Sequence, residues 1–248
     1  MTPPVFLIPA TDLAKVQAGD RFPVTGEEGR HGAAALRLRS GESVVLVDGD
    51  GRRVPATVAD VTRDSFVVEL ATPHDEPPPA LSITAVQALA KGDRADSAVE
   101  MMTEAGVDRI IPWSASRSIA VWKGERAERG LRRWNAVVRA ASKQARRARF
   151  PQVAPLHNTD QLAELLGSAA TALVLHESAE QPLSTVPLAS IGELVLVVGP
   201  EGGISDDELD RFRTAGATPV RLGGSVLRTS TAGVVAAAVV MTRSGRWQ

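Results

Sequence analysis

Residues 194–209 read LVLVVGPEGGISDDEL, an apolar run that passes straight into three glycines and an acid. An apolar run this short, rich in β-branched residues and bounded by glycine, reads as a strand. Ser205 and Glu208 then form an S-x-x-E capping box, which starts a helix at 205 by satisfying two backbone donors. A strand that opens through glycines onto a helix is a common frame for a phosphate. Here, however, both the P-loop pattern and the dinucleotide G-x-G-x-x-G spacing are missing. Glu201 stands inside the loop, where its carboxylate would repel a phosphate at close range. Phosphate is therefore disfavoured. Gly199, Gly202 and Gly203 keep two readings, a tight turn needing positive φ or a wall that lets another ligand reach the backbone. Glu201 is correspondingly a solvent-facing loop acid or a ligand contact.

Outward from this stretch, the second part of the chain alternates strands with helices. The strands are LSITAVQAL (81–89), RIIPW (109–113), ALVLHE (172–177), LVLVVG (194–199) and TPVRLG (218–223). Helices are expected over 94–105, 126–146, 159–167, 205–215 and 230–242. This alternation predicts an α/β fold with a mostly parallel sheet covered on both faces. Ligands of such sheets bind beyond the carboxyl ends of the strands. The loops after 175, 198 and 222 therefore belong together. Residues 1–75 differ: SVVLVDGDGRRVPATVADV (43–61) and SFVVEL (65–70) are β-rich, and DGDG is a hairpin turn. GEEGRHGAAALRLRSGE (26–42) has room for one short helix. The proline-rich HDEPPPA (74–80) continues neither element, so two domains are expected, 1–75 and 76–248.

LGGSVLRTSTAGVVAAAVVM (222–241) places Ser225, Arg228, Thr229 and Thr231 on a glycine loop ahead of a helix with almost no polar face. Such a helix is buried in a core or an interface, and its burial holds Arg228 in place. An ordinary loop leading into a buried helix is the plainer reading.

Composition narrows the function. The 248 residues carry a net charge of −1, with 44% hydrophobic and 23% charged residues, ordinary for a soluble globular protein. No apolar run approaches the roughly 18 residues of a membrane span, and the N-terminal MTPPVFLIPA lacks the form of a signal peptide. The absence of cysteine removes disulfides and thiolate metal sites, and fits the cytoplasm. His31, His74, His157 and His176 show no metal-ligand spacing, so no metal is expected. The near-neutral total conceals an asymmetry. Between Arg117 and Arg149 stand eleven basic residues against only Glu125 and Glu128, whereas 1–75 hold eight basic and eleven acidic residues. Concentrated positive charge attracts a polyanion, though a solvated helix face is the usual alternative. Trp134 and Phe150 interleave with the charges, while Trp113 and Trp122 suit a core, a dimer interface or a base-stacking platform equally.

VGPEGGISDDEL (198–209) followed by LGGSVLRTSTA (222–232) resembles the C-terminal motifs of the RsmE family, 16S ribosomal RNA uridine-N3 methyltransferases of the SPOUT superfamily. The resemblance extends through KGDRADSAVEMMTEAGVDRIIPWSASRS (91–118) and AASKQARRARFPQV (140–153) to RHGAAALRLRSGESVVLVDGDG (30–51), nearly the whole chain. It implies a C-terminal domain with a deep trefoil knot, a small N-terminal PUA-like β-barrel for RNA, S-adenosylmethionine as cofactor, and a homodimer. This cofactor has no phosphate and carries a sulfonium cation, beside which a carboxylate such as Glu201 is acceptable. By motif position the cofactor pocket falls to Leu175, His176, Glu177, Gly199, Pro200, Glu201, Gly202, Gly203, Leu222, Gly223, Ser225, Val226, Leu227 and Thr231. Two departures stand out. Ser230 replaces the glutamate of the usual LRTETA, which puts a catalytic carboxylate there in doubt. KQARR (143–147) replaces EQSGR and adds positive charge.

Within that resemblance, Arg228 is expected to stabilise negative charge on the uracil ring as its N3 proton leaves. Glu201 is the candidate base or positioning acceptor, with water or phosphate as substitutes. N3 lies on the pairing edge, so the target uridine must be unpaired or extruded. Expected RNA contacts are Arg30, Arg37 and Arg39 in the N-terminal part, with Lys91, Arg117, Arg139, Lys143, Arg146, Arg147 and Arg149 beyond it. The partner implied is 16S ribosomal RNA or the small ribosomal subunit. Two alternatives remain: a SPOUT enzyme methylating ribose 2′-hydroxyls, and a non-catalytic RNA-binding assembly factor. The retained GPEGG and LRTSTA loops count against the second, since RNA binding alone has no use for them.

Overall fold

The apolar residues of the second part alternate along each strand between two cores. The structure, a computed structural model, describes residues 2–247. Its chain divides into two units, the first running to Pro78 and regaining Ser142–Phe150, the second comprising Pro79–Ala141 and the residues from Pro151 on.

In the first unit the elements are β1 (Val5–Leu7), α1 (Ala10–Leu13), β2 (Arg21–Val24), α2 (Gly26–Arg30), β3 (Ser43–Val47), β4 (Arg52–Val61), β5 (Phe66–Leu70) and β6 (His74–Asp75). A π-helical turn at His31–Ala35 continues α2. The strands form one sheet in the order β1-β3-β4-β5-β2, with β6 on β4. All pairs are antiparallel except β1 with β3. DGDG closes the β3–β4 hairpin, where Gly49 and Gly51 take positive φ. Phe6, Leu46, Val54, Phe66 and Val68 form the core, with Phe6 and Phe66 edge to face at 4.9 Å. The returning segment is held by Ala148, buried with Val5 and Val47, and by the Phe150 N–H donating to the Gly49 carbonyl at 2.8 Å.

The second unit contains β7 (Leu81–Ala88), α3 (Arg94–Ala105), β8 (Arg109–Trp113), α4 (Glu125–Gln144, whose last three residues belong to the first unit), β9 (Gln152–Val153), α5 (Thr159–Ser168), β10 (Thr171–Leu175), β11 (Gly192–Val198), α6 (Asp206–Thr214), β12 (Thr218–Val220) and α7 (Thr229–Arg243). Its sheet runs β12-β10-β11-β7-β8-β9, and every neighbouring pair is parallel. In β11, Leu194 and Leu196 face a core shared with α3, α4 and α7, while Val195 and Val197 face α5 and α6. Each buried methylene-rich side chain of this kind contributes roughly 1.5–3 kcal/mol relative to exposure. β11 is inserted between β10 and β7, both laid down earlier in the chain. That order sets the loops after β10, β11 and β12 side by side.

The five expected helices all form, with ends within two residues of the sequence reading. The apolar helix α7 is only partly covered. Ala232, Gly233, Ala236, Ala237, Val240 and Met241 are buried, but Val235 is 39% exposed and Val234, Ala238 and Val239 are half-buried.

Candidate functional site

The loops beyond the carboxyl ends of β10, β11 and β12, closed by the start of α7, line a cavity of about 640 Å³. That lies within the ~300–1,000 Å³ of small-molecule sites. Leu175, His176 and Glu177 come from the first loop, Gly199 to Gly203 from the second, and Leu222, Gly223, Ser225, Val226, Leu227 and Arg228 from the third. Val198, Val220 and Ala232 add apolar surface. Of the residues assigned to the pocket by motif position, only Thr231 is outside this lining. Its hydroxyl instead donates to the Arg228 carbonyl at 3.2 Å, inside the first turn of α7.

Gly199 and Gly202 leave little room for side chains. A Cβ at Gly199 would lie 2.8 Å from Ile204 Cγ1, and one at Gly202 would lie 3.0 Å from the Arg117 carbonyl oxygen. Gly203 has φ +74°, the left-handed region that disfavours other residues. Immediately after the loop, Ser205 and Glu208 complete the capping box of α6 in both directions. Glu208 does more than cap. It is buried and accepts from the Ser116 N–H at 2.7 Å, the Ser116 hydroxyl at 2.8 Å, the Ser205 N–H at 3.1 Å, the Ser205 hydroxyl at 2.9 Å and the Thr159 hydroxyl at 3.2 Å. Burial pushes its carboxyl upward, but the hydrogen bonds from Ser116 and Ser205 outweigh that and hold it below the ordinary carboxylate range. Through Ser116, Glu208 seats Arg117 against the glycine loop, where its guanidinium lies 3.5 Å from the Gly202 carbonyl.

Glu201 is differently placed. Its Oε1 accepts from the Lys91 N–H at 3.2 Å and pairs with the Arg94 guanidinium at 3.4 Å, so the acid enters the cavity already partnered. Arg94, Arg117, Arg221 and Arg228 all line the cavity beside Glu177, Glu201 and Asp206. This mixed ring is more cationic than the glycine loop alone suggested. Arg228 is the N-cap of α7. Its carbonyl accepts from the Thr231 and Ala232 N–H groups, which fixes its backbone. Its side chain is exposed and makes no hydrogen bond or ion pair among the described residues. The expected pinning thus applies to the backbone alone.

Gln87 and Arg94, which help tie the walls together, escaped the sequence reading. Gln87, fully buried at the end of β7, donates from Nε2 to the Thr229 hydroxyl at 2.9 Å. Thr229 donates in turn to the Gly199 carbonyl at 2.8 Å. The chain of donors links β7, α7 and the glycine loop, and it leaves Gln87 Oε1 buried without a partner among the described residues. A glutamine inside an apolar strand was the available signal. Arg94 escaped because it stands far from the glycine loop in sequence.

The expected RNA contacts fall into different settings. Arg30, Arg37, Arg39 and Arg139 are exposed, Arg37 with φ +53°. Lys91 and Arg117 stand at the cavities of the second unit. Lys143, in contrast, is half-buried, paired with Glu28 at 2.8 Å and set over the Phe6 ring at 6.0 Å. The Arg146 carbonyl accepts from Arg53, Arg147 donates from Nε to the Arg149 carbonyl, and Arg149 donates to the Glu76 carbonyl at 2.6 Å.

A family model described as an RNA methyltransferase domain matches residues 76–241, and one described as an RNA methyltransferase PUA domain matches 24–71. The ribosomal RNA small subunit methyltransferase E of Mycobacterium bovis is 45% identical over 228 residues, covering 90% of this chain and 87% of that protein. Among solved structures, the ribosomal RNA small subunit methyltransferase E of Neisseria gonorrhoeae, bound to S-adenosyl methionine, aligns at a TM-score of 0.84 with 28% identity, covering 98% of each chain. A methyltransferase of Legionella pneumophila in complex with the same cofactor aligns at 0.86 with 26% identity, again over 98% of each. With the matched domains spanning both units and the three-loop cavity at their expected place, the chain belongs to the RsmE family of RNA methyltransferases.

Proposed function

We propose that this protein transfers a methyl group from S-adenosylmethionine to N3 of a uridine in 16S ribosomal RNA. The observation that carries the reading is the cavity itself, in which three neighbouring loops of a parallel sheet present backbone groups, apolar side chains and a glycine wall at one point. These residues suit the cofactor. Leu175, Val198, Val220, Leu222 and Ala232 offer apolar surface for an adenine, the glycines allow close backbone approach, and Glu177 and Glu201 tolerate a cation. When bound, the cofactor supplies an electrophilic methyl group.

The chain's own contribution is to orient the uracil and manage its proton. A bond forms between N3 and the methyl carbon, the sulfur–carbon bond breaks, and the N3 proton passes to an acceptor. Arg228, which lines the cavity and whose guanidinium makes no hydrogen bond or ion pair among the described residues, stabilises the negative charge that develops on the ring. Glu201 has Oε1 occupied by Lys91 and Arg94, leaving Oε2 as the oxygen free to accept. That arrangement favours a positioning acceptor over a mobile base. Exposed cations on each unit, among them Arg30, Arg37, Arg39, Arg117 and Arg139, supply phosphate contacts. A homodimer belongs to this reading, supported by Val226 at 80% exposure and by the uncovered side of α7 at Val235. The trefoil knot that the family resemblance implies belongs to it as well, as does the cytoplasmic setting that a chain without cysteine fits. No helix among the described residues is long and apolar enough to cross a membrane.

The test is incubation with methyl-labelled cofactor and either small ribosomal subunits or naked 16S RNA, followed by mass mapping of the modified nucleoside. N3-methyluridine supports the proposal and a 2′-O-methyl product replaces it with ribose chemistry. Failure to bind the cofactor reduces the protein to an RNA-binding factor. Arg228→Ala should lower methyl transfer by about 10²–10³-fold with cofactor affinity nearly unchanged. Equal losses in both would remove its transition-state role.

A further inference from the structure

We propose that a second cavity, floored by Trp122, receives the base of a nucleotide flanking the target uridine. The RNA strand would then run from the methyl-transfer cavity past Lys91 and Arg94 to the indole. The inference rests on the RNA methyltransferase reading above and deepens it by naming a substrate subsite.

Three cavities of the second unit are contiguous through shared residues. Arg94 lines both the 640 Å³ cavity and a neighbour of about 480 Å³, which also contains Lys91, Gly92, Ser97 and Ser230. Gly92 lines that neighbour and a third cavity of about 340 Å³. The middle cavity offers a lysine and an arginine to a phosphate. Serine at 230 adds no carboxylate to it, and the carboxylate in its lining, Asp93, is paired with Arg133 at 2.8 Å. The third cavity combines an apolar side, including Leu89, Val121 and Trp122, with Arg126 and Arg129 at its rim.

The indole of Trp122 is built as a platform. Trp113 and Trp134 are buried core residues, whereas Trp122 is half-exposed. Trp134 supports it edge-on at 5.2 Å and 69°. Gly130 of α4 admits it, since a Cβ there would lie 2.5 Å from the ring. Next to it, Val121 and Ile119 are 55% and 63% exposed. The cations around it are available. Arg126 makes no ion pair among the described residues, and Arg129 has only the solvent-exposed pair with Glu125 at 3.6 Å, a contact of little strength. Asp96, in the wall, is engaged by Arg133 and by the Trp134 side chain, and burial pushes its carboxyl upward against the pull of Arg133. A rigid aromatic face beside exposed guanidinium groups is how proteins hold unpaired bases and their phosphates. Extruding the target base also unstacks its neighbours, which leaves such a base to be held.

Short unpaired RNAs test this, one with the target uridine between intact neighbours and two with an abasic residue immediately 5′ or 3′ of it. Their affinities for the wild-type protein, Trp122→Leu and Arg126→Ala are measured by fluorescence anisotropy, with melting and sedimentation in parallel. One abasic replacement should weaken wild-type binding about tenfold. Trp122→Leu should show that loss on intact RNA and no further loss on the same abasic RNA. Arg126→Ala, an exposed change outside the core, should reduce the salt slope by about 1 on every RNA. The proposal is overturned if neither abasic replacement matters to the wild type, or if the Trp122 and abasic losses multiply. It is equally overturned if Trp122→Leu alters the sedimentation of the protein and not its RNA affinity, because a second copy would then cover the cavity. Should Trp122→Leu fail to fold, the wild-type abasic arms and Arg126→Ala decide. A wild-type protein that reads the flanking base but yields no labelled methyluridine would sink the catalytic reading and leave the subsite standing.

Discussion

Glu201 and Glu208 lie in one strand-loop-helix segment and meet opposite fates. Glu208 is only 4% exposed and collects donors from Ser116, Ser205 and Thr159 until both oxygens are used. Glu201 has one oxygen held by Lys91 and Arg94 and the other without a hydrogen bond among the described residues, at the cavity wall. The saturated acid fixes structure. The half-satisfied one keeps bonding capacity for a ligand, and the difference arises from which loops surround each residue.

The glycine wall between them is the most sensitive place to break this division. Gly202→Val should abolish cofactor binding in calorimetry while thermal unfolding stays close to wild type, because the added carbons meet the Arg117 backbone at the cavity and not the core. A large drop in melting temperature would instead give the loop a structural role like that of Glu208. Next in size, Glu208→Ala should cost about 3 kcal/mol of stability, as several buried donors lose a charged acceptor together. Because folding lowers this carboxyl's affinity for protons, its contribution is present above the ordinary carboxylate pKa and fades as the pH drops below about 4. Denaturant titrations at pH 7 and pH 3.5 should therefore show the gap between variant and wild type closing. Glu201→Gln should leave the melt unchanged and lower kcat/KM by about tenfold, the size of one charge-assisted contact. The smallest effect belongs to the strut behind the glycine loop. Thr229→Val removes both of its hydrogen bonds and should weaken cofactor affinity about fivefold, an effect on the order of 1 kcal/mol. Thr229→Ser should restore it, and an unchanged affinity in the valine variant would make the strut irrelevant to the pocket.

The sequence brought the three cavity-lining loops together because each is a short contiguous stretch, and parallel α/β topology dictates that such loops gather at one sheet end. It carried the charge run poorly. From Arg117 to Arg149 every cation counts alike in the sequence, yet Lys143 is held by Glu28 and Phe6, and Arg149 is bonded to the Glu76 carbonyl. Arg126 and Arg139 of the same run stay exposed. Whether a cation is consumed depends on partners distant in sequence, such as Glu28, and no local pattern contains them. The return of residues 142–150 to the first unit was hidden for the same reason, since Ala148 is buried with Val5 and Val47, which are distant in sequence.

By itself the sequence determined the elements, the parallel sheet, the capping box at Ser205 and the three loops of the pocket. Those depend on side-chain period, backbone freedom at glycine and donors a few residues away, all of which are local. Only the tertiary structure decided that Glu201 is paired with Arg94, that Gln87 and Thr229 tie the pocket walls, and that Trp122 opens beside the arginines of α4 while Trp134 is sealed beneath it. Each of these is settled by which distant group satisfies a polar atom or covers an apolar face, and that competition is resolved only when the chain is folded.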